Sequence, residues 1–364
     1  MMAAAQTGNL DDVSVGMTEL PLFGQGRHLL SVSQFDQANL AALFGLADAV
    51  SPIAMRHGVC TVLDGAMMGS LFFEPSTRTR LSFESAFLRL GGEVTTTTGF
   101  TFSSMAKGES IADTARVVSG YSDVLVVRHP EEGSVAQFAA ASVVPVINAG
   151  DGAGEHPSQA LLDVYTLERE LAARGRGMAG VTLAVLGDLR YGRTVHSLVK
   201  LMSVIDDGSP CTFRLFAPTG LELPDEIAQY AAIRGHRLIT CGTAVEAITS
   251  ADAVYATRVQ LERQPPDAPT ADLAMLGQDL LNRAMVLQAG NPDLIIMHPL
   301  PRDSRPGAFD LSADVDDLPG LAIFHQTDNG LAVRMAIFLT TLGVDAEQVR
   351  LTTKQRPWKA DLAP

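Results

Sequence analysis

Short apolar runs recur along the chain, each bounded by turn residues and followed by a segment with helical periodicity. Gly69–Phe73, Asp123–Val127, Val143–Asn148, Val181–Gly187, Cys211–Phe216, Asp252–Thr257 and Leu294–Met297 read as strands. Several carry Val and Ile in unbroken succession, the pattern of strands covered on both faces in a parallel sheet. Between them, Leu81–Leu90 sets Leu81, Phe83, Ala86, Phe87 and Leu90 on one stripe, and Gln159–Glu170 does the same with Leu161, Leu162, Tyr165 and Leu167. Strand and helix in alternation predict an α/β protein. A length of 364 residues predicts two doubly wound parallel-sheet domains.

The charged, glycine-containing stretch Glu168–Gly180 reads as the end of a connecting helix and a turn, so the division between domains is expected nearby. We take 1–157 as the first domain and 158–325 as the second, with a C-terminal helix in about 326–364 packing back on the first. Its amphipathic core is about Leu331–Leu342. Residues 1 to about 26 read as a mobile extension, and Arg263–Ala274, with Pro265, Pro266 and Pro269, as a mobile loop.

A formal net charge of −14 offers no diffuse basic surface for nucleic acid or acidic lipid, so an anionic ligand must be held by a few local cations. Cys60, Cys211 and Cys241 lack the paired spacing of a zinc or redox site and read as buried thiols in a reducing compartment. Met1–Gly8 lacks a basic start and apolar core, and no run reaches the ~18 to 20 apolar residues of a membrane span. The expectation is a cytoplasmic protein with no membrane or nucleic-acid partner.

The strongest local signal is Phe72-Phe73-Glu74-Pro75-Ser76-Thr77-Arg78-Thr79-Arg80, an apolar strand end followed by a hydroxyl- and arginine-rich turn that opens a helix. Helix N-termini present unpaired N–H groups, hydroxyls add donors, and guanidinium forks match phosphate oxygens. Together these make an anion cradle. It is not a P-loop, because no glycine-framed Lys-Ser or Lys-Thr is present. Gly175, Gly177 and Gly180 match a dinucleotide fingerprint in spacing, but they precede the strand Val181–Gly187 and so open no helix after it.

Other strand ends carry polar side chains. Arg128 follows Asp123–Val127, and His156 and Gln159 follow Val143–Asn148 through a glycine-rich turn at the start of a helix. Arg193 follows Val181–Gly187, and Arg258 and Gln260 follow Asp252–Thr257. Two arginines at two strand ends of one domain suit a dicarboxylate, each forming a bidentate pair. The proline-stiffened His298-Pro299-Leu300-Pro301-Arg302 offers carbonyls that can accept from an –NH2 group.

These blocks, with Lys107-Gly108-Glu109-Ser110, resemble in content and order the carbamoyltransferases, and among them the aspartate carbamoyltransferases, from about Phe72 to Leu342. Ornithine-specific relatives resemble the first and third blocks but carry His-Cys-Leu-Pro in place of His298-Pro299-Leu300-Pro301 and lack the paired Arg193 and Arg258. The resemblance implies an active-site cleft between the two domains and transfer there of the carbamoyl group of carbamoyl phosphate to L-aspartate, giving N-carbamoyl-L-aspartate and phosphate in pyrimidine biosynthesis, with no metal or organic cofactor. It implies that Ser76, Thr77, Arg78, Thr79 and Arg128 hold the phosphate, and that Thr79, Arg128 and His156 contact the carbamoyl oxygen. Gln159 and the carbonyls of Leu300 and Pro301 would hold the –NH2 group. Arg193 would grip one carboxylate of aspartate, and Arg258, oriented by Gln260, the other. Glu74 would bridge to Arg193 and Arg263 on closure. Ser103 and Lys107 would reach into a neighbouring subunit's site, making a homotrimer with shared active sites, and regulatory chains remain open as further partners. The chain departs from the pattern in having Ala106 before a single Lys107, in its amino-terminal extension and in the proline-rich insertion after Arg263.

Overall fold

The computed structural model describes residues 20–99, 107–205, 208–260, 278–303, 305 and 309–358. Two wholly parallel sheets organise it. The first takes β2 (Met67–Phe72), β3 (Glu93–Thr98), β4 (Val124–His129) and β5 (Val146–Asp151) in the order β3-β2-β4-β5. The second takes β6 (Thr182–Gly187), β7 (Thr212–Phe216), β8 (Arg237–Thr240), β9 (Ala253–Thr257) and β10 (Ile295–Met297) in the order β10-β9-β6-β7-β8. The unbroken apolar runs are the inner strands: every residue of β4 and of β9 is buried.

Each sheet reverses its strand order once, between β2 and β4 in the first and between β6 and β9 in the second. At such a reversal the helices leaving two adjacent strands diverge to opposite faces, and a crevice opens outside the strands' carboxyl ends. Helix α2 (Thr77–Arg89) leaves β2, and α5 (Pro157–Ala173) follows β5 and carries the chain to the turn before β6. Helix α6 (Arg193–Met202) leaves β6.

The chain then returns. Helix α10 (Ile323–Leu342) packs against α1 (Gln37–Ala54), α2 and α5. A short antiparallel pair of β1 (Gly58–Cys60) with β11 (Thr353–Gln355) fastens the segment after it to the first sheet's unit. Among the described residues, no helix is long and apolar enough to cross a membrane.

Several expectations need correction. Pairing of β5 begins at Val146 rather than Val143, because Pro145 has no N–H to give a ladder. Helix α10 starts eight residues before Leu331; its first turns are polar and hide the periodicity. Leu81, expected on the buried stripe of α2, is 49% exposed. Strands β3 and β8 lie at sheet edges and carry no apolar run that sequence reading could find. The region 263–274 lies outside the described residues.

Candidate active site

The two crevices open onto one cavity of about 610 Å³. From the first sheet's unit, Glu74, Ser76, Thr77, Arg78 and Thr79 reach it from the β2–α2 turn, and Arg128 from the end of β4. His156 and Gln159 come from the start of α5. From the second sheet's unit come Arg193 at the start of α6, Arg258 and Gln260 after β9, and Leu300 and Pro301 after β10. Every one of these had been singled out in the sequence, separated by up to about 225 positions, and the fold brings them to one space.

Three helices begin at this cavity. Ser76 is the N-cap of α2, His156 of α5 and Gly192 of α6, and none makes a side-chain capping hydrogen bond. At α2 the uncapped first-turn N–H groups, with the positive end of the dipole, are left for an anion, whereas α5 opens with Pro157, which has no N–H, and the N–H groups of Gln159, Arg193 and Val195 already donate to the carbonyls of His156, Tyr191 and Gly192. Burial lowers the pKa of Arg78, but a guanidinium so shifted still carries its proton at neutral pH.

Arg128 is buried and donates from Nη1 to the carbonyl of Ala149 at 3.1 Å, while Nη2 lies 3.0 Å from Oε2 of Glu74. Arg193 is buried too, donates from Nη1 to the carbonyl of Gly152 at 2.5 Å and places Nη2 3.5 Å from the same Glu74 oxygen. The two guanidinium groups thus approach one carboxylate from the two units. Gly150 sits against both. A Cβ built there would come 2.6 Å from Nη1 of Arg128 and 3.0 Å from Nη2 of Arg193, and its φ of +127° already favours glycine.

On the second sheet's side, Asp188 joins the turn that leads to Arg193 to the loop that bears Arg258 and Gln260. It is fully buried and accepts from the N–H of Tyr191 at 2.9 Å and of Gln260 at 3.0 Å. Burial raises its carboxyl pKa, and those backbone donors oppose the rise. Gly187 permits the strands to meet, since a Cβ there would lie 1.9 Å from the carbonyl oxygen of Thr257.

The loop after β10 is held by a buried chain of hydrogen bonds. The N–H of Leu300 donates to Nδ1 of His298 at 2.8 Å, which leaves Nε2 to carry the ring proton and donate to Oδ1 of Asp310 at 2.8 Å. Oδ2 of Asp310 accepts from the N–H of Asp303 at 2.7 Å. The Leu300–Pro301 bond is cis.

Of the remaining expected residues, Lys107 is exposed and does not line this cavity, and Ser103 lies outside the described residues, as does Arg263. Sequence reading missed Asp163, Gln326 and Arg334. The last two line the cavity, and Asp163 lies behind it, bonded to Gln159. A lone carboxylate in Leu161-Leu162-Asp163-Val164-Tyr165 and a lone arginine in Ala332-Val333-Arg334-Met335-Ala336 were the available signals. A charge inside an apolar helical run is buried and must be compensated.

Comparison with known proteins agrees with this geometry. Residues 27–169 match the aspartate/ornithine carbamoyltransferase carbamoyl-P binding domain, and residues 179–341 match the Asp/Orn binding domain of the same family. The chain is 50% identical over 333 residues to the aspartate carbamoyltransferase catalytic subunit of Saccharophagus degradans, covering 92% of this chain and 97% of that protein. It is 42% identical over 313 residues to the catalytic subunit from Archaeoglobus fulgidus, covering 85% and 97%. A crystal structure of aspartate transcarbamoylase from Trypanosoma cruzi in complex with carbamoyl phosphate and aspartate superposes with a TM-score of 0.78 at 37% identity, covering 89% of this chain and all of that one. The catalytic subunit of the M. jannaschii aspartate transcarbamoylase gives 0.73 at 38%, covering 86% and 96%. Sequence, fold and the convergence of arginines on one cavity therefore agree, and the chain belongs to the aspartate/ornithine carbamoyltransferase family.

Proposed function

We propose that this chain transfers the carbamoyl group of carbamoyl phosphate to L-aspartate, a step of pyrimidine biosynthesis, in the cavity between its two sheets. The observation that carries this reading is the meeting of two cationic groups: Arg78 and Arg128 from the first sheet's unit, Arg193 and Arg258 from the second. One pair suits a phosphorylated donor, the other a doubly acidic acceptor. A cationic acceptor such as ornithine would gain nothing from Arg193 and Arg258. On this reading 1–157, completed by 326–364, binds the donor and 158–325 the acceptor.

Ser76, Thr77, Arg78, Thr79 and Arg128 seat the phosphate at the start of α2. Thr79, Arg128 and His156 direct donors at the carbamoyl oxygen, while Gln159 and the carbonyls of Leu300 and Pro301 receive its –NH2. Arg193 takes one carboxylate of aspartate, and Arg258, beside Gln260, the other. The uncharged amine attacks the carbamoyl carbon, so a C–N bond forms and the C–O bond to phosphate breaks. The departing phosphate takes the amine's proton, and no covalent intermediate on the protein is needed. Rate comes from holding two anions in attack geometry and from donors aimed at the developing oxyanion.

The exposure of Lys107, away from its own chain's cavity, fits a residue that serves a neighbour. With Ser103 it is assigned to the adjacent subunit's site in a homotrimer. Regulatory chains would be additional to that trimer. The three cysteines are free and buried, which supports a cytoplasmic setting.

The test is formation of carbamoyl-aspartate from carbamoyl phosphate, with L-aspartate and ornithine supplied in parallel. Product with aspartate and none with ornithine is expected. Preference for ornithine or another amine would overturn the acceptor assignment.

A further inference from the structure

Asp163 sits on α5 one turn after Gln159 and is wholly buried. Its Oδ1 accepts from Nε2 of Gln159 at 2.9 Å and from Nε2 of Gln326, on α10, at 2.9 Å. Its Oδ2 accepts from the hydroxyl of Tyr255, on β9, at 2.7 Å. One carboxylate thus joins the connecting helix, the returning helix and the second sheet directly behind the cavity that Gln159 and Gln326 line.

The orientation of these amides follows from their partners. Oε1 of Gln326 accepts from the N–H of His298 at 2.8 Å, so its –NH2 end must face Asp163. Oδ1 of Asp163 is therefore an acceptor, and Gln159 can meet it only with its own –NH2. Burial pushes the Asp163 carboxyl up to about 7, yet protonation does not alter the result. A proton taken up there goes to Oδ2, where the Tyr255 oxygen can accept it, and the lone pairs of Oδ1 stay with the two glutamines. The amide oxygen of Gln159 is then the end left for a ligand.

We propose that Asp163 is a positioning residue that makes the donor pocket selective for an –NH2 group, by fixing Gln159 with its carbonyl oxygen available to the cavity. An –NH2 on the bound donor satisfies that oxygen. A methyl group of the same size leaves it desolvated and unpaired, so acetyl phosphate is rejected relative to carbamoyl phosphate. The inference rests on the carbamoyl-transfer reading and goes beyond it in naming what sets the choice of donor.

The test compares equilibrium affinities of the intact protein for carbamoyl phosphate and acetyl phosphate in wild type, Asp163→Leu and Asp163→Asn. Asp163→Leu removes the acceptor and frees Gln159 to turn, so the preference for carbamoyl phosphate is expected to fall by on the order of tenfold. Asp163→Asn can keep its amide oxygen toward both glutamines and its –NH2 toward Tyr255, so the preference is expected to persist although the charge is gone. A folded Asp163→Leu protein with the wild-type preference would overturn the proposal, as would an equal loss in both variants. If the leucine variant does not fold, neutron diffraction from deuterated wild type decides. Deuterons on the Gln159 nitrogen pointing at Asp163 support the assignment, and a Gln159 oxygen facing a deuteron on Asp163 refutes it. Failure of wild type to carbamoylate aspartate would instead strike at the functional reading, which the diffraction result does not depend on.

Discussion

Oε2 of Glu74 lies 3.0 Å from Nη2 of Arg128, so a carboxylate from the β2–α2 turn rests against the cation at the end of β4. Arg193, from the second sheet's unit, is 3.5 Å from that same oxygen. Among the described residues, Glu74 is the one acidic side chain that lines the cavity. It holds Arg193 toward the first unit, and Arg193 is the group assigned to the acceptor. Glu74→Gln keeps the size and loses the charge. The expected outcome is an aspartate KM raised roughly tenfold, the lower range for loss of a partly exposed charge pair, with inorganic phosphate affinity equal or increased. An unchanged aspartate KM would show that Arg193 needs no such partner.

Arg128 and Arg258 are expected to fail differently. Arg128 is buried beside the proposed oxyanion position, and Arg128→Ala is expected to cost roughly 10²–10³ in kcat, the usual loss for one oxyanion donor. Arg258 is half-buried after β9, and Arg258→Ala removes a carboxylate partner worth about 1.5–3 kcal/mol, so aspartate KM rises about 10- to 150-fold while donor binding is spared. Steady-state kinetics with each substrate varied separates the two. Wild-type kinetics in the Arg258 variant would refute its role.

Lys107 belongs to the shared-site proposal, and subunit mixing tests it. Subunits inactive through Lys107→Ala, mixed with subunits inactive through Arg78→Ala, are expected to regain activity if hybrids form, because some sites then draw both intact residues from different chains. Verified hybrids without any activity would count against sites shared between subunits.

Asp163 makes a prediction about stability. An unfolded aspartate titrates near 3.9, whereas burial holds this one at about 7 against the opposing pull of Tyr255, Gln326, Gln159 and Arg334. Between those values the folded chain keeps a proton that the unfolded chain has released. This group's contribution therefore declines as pH rises from about 4 to about 7, and is level above that range. Asp163→Asn lacks the effect, so its stability should fall less over that interval, by up to about 1.4 kcal/mol per pH unit. Urea unfolding of both proteins at several pH values measures the difference, and parallel profiles would show an unperturbed carboxyl. Arg334, itself buried and lowered to about 10, does not titrate in this interval.

What the sequence determined by itself was the class of fold and many of the polar residues that line the cavity. Unbroken Val and Ile runs can be stable only with both faces covered, and such strands, alternating with helices, lead to parallel sheets. Polar motifs placed at the ends of those runs fall at carboxyl ends of strands, where open α/β sheets bind ligands. Arg78, Arg128, Arg193 and Arg258 were legible for that reason. Strands β3 and β8 were not, because their largely exposed side chains carry no apolar signature, unlike the other edge strands β5 and β10, which are buried.

Tertiary structure alone decided that both strand-order reversals open on one cavity, since reversal is a property of which strands pair and not of any local run. It also decided the partners of buried charge. Asp163 meets Gln326 and Tyr255 across 163 and 92 positions, and Glu74 meets Arg193 across a comparable distance. A side chain's type is written locally, but its hydrogen-bond partners and the dielectric around it are supplied by segments that only folding brings near.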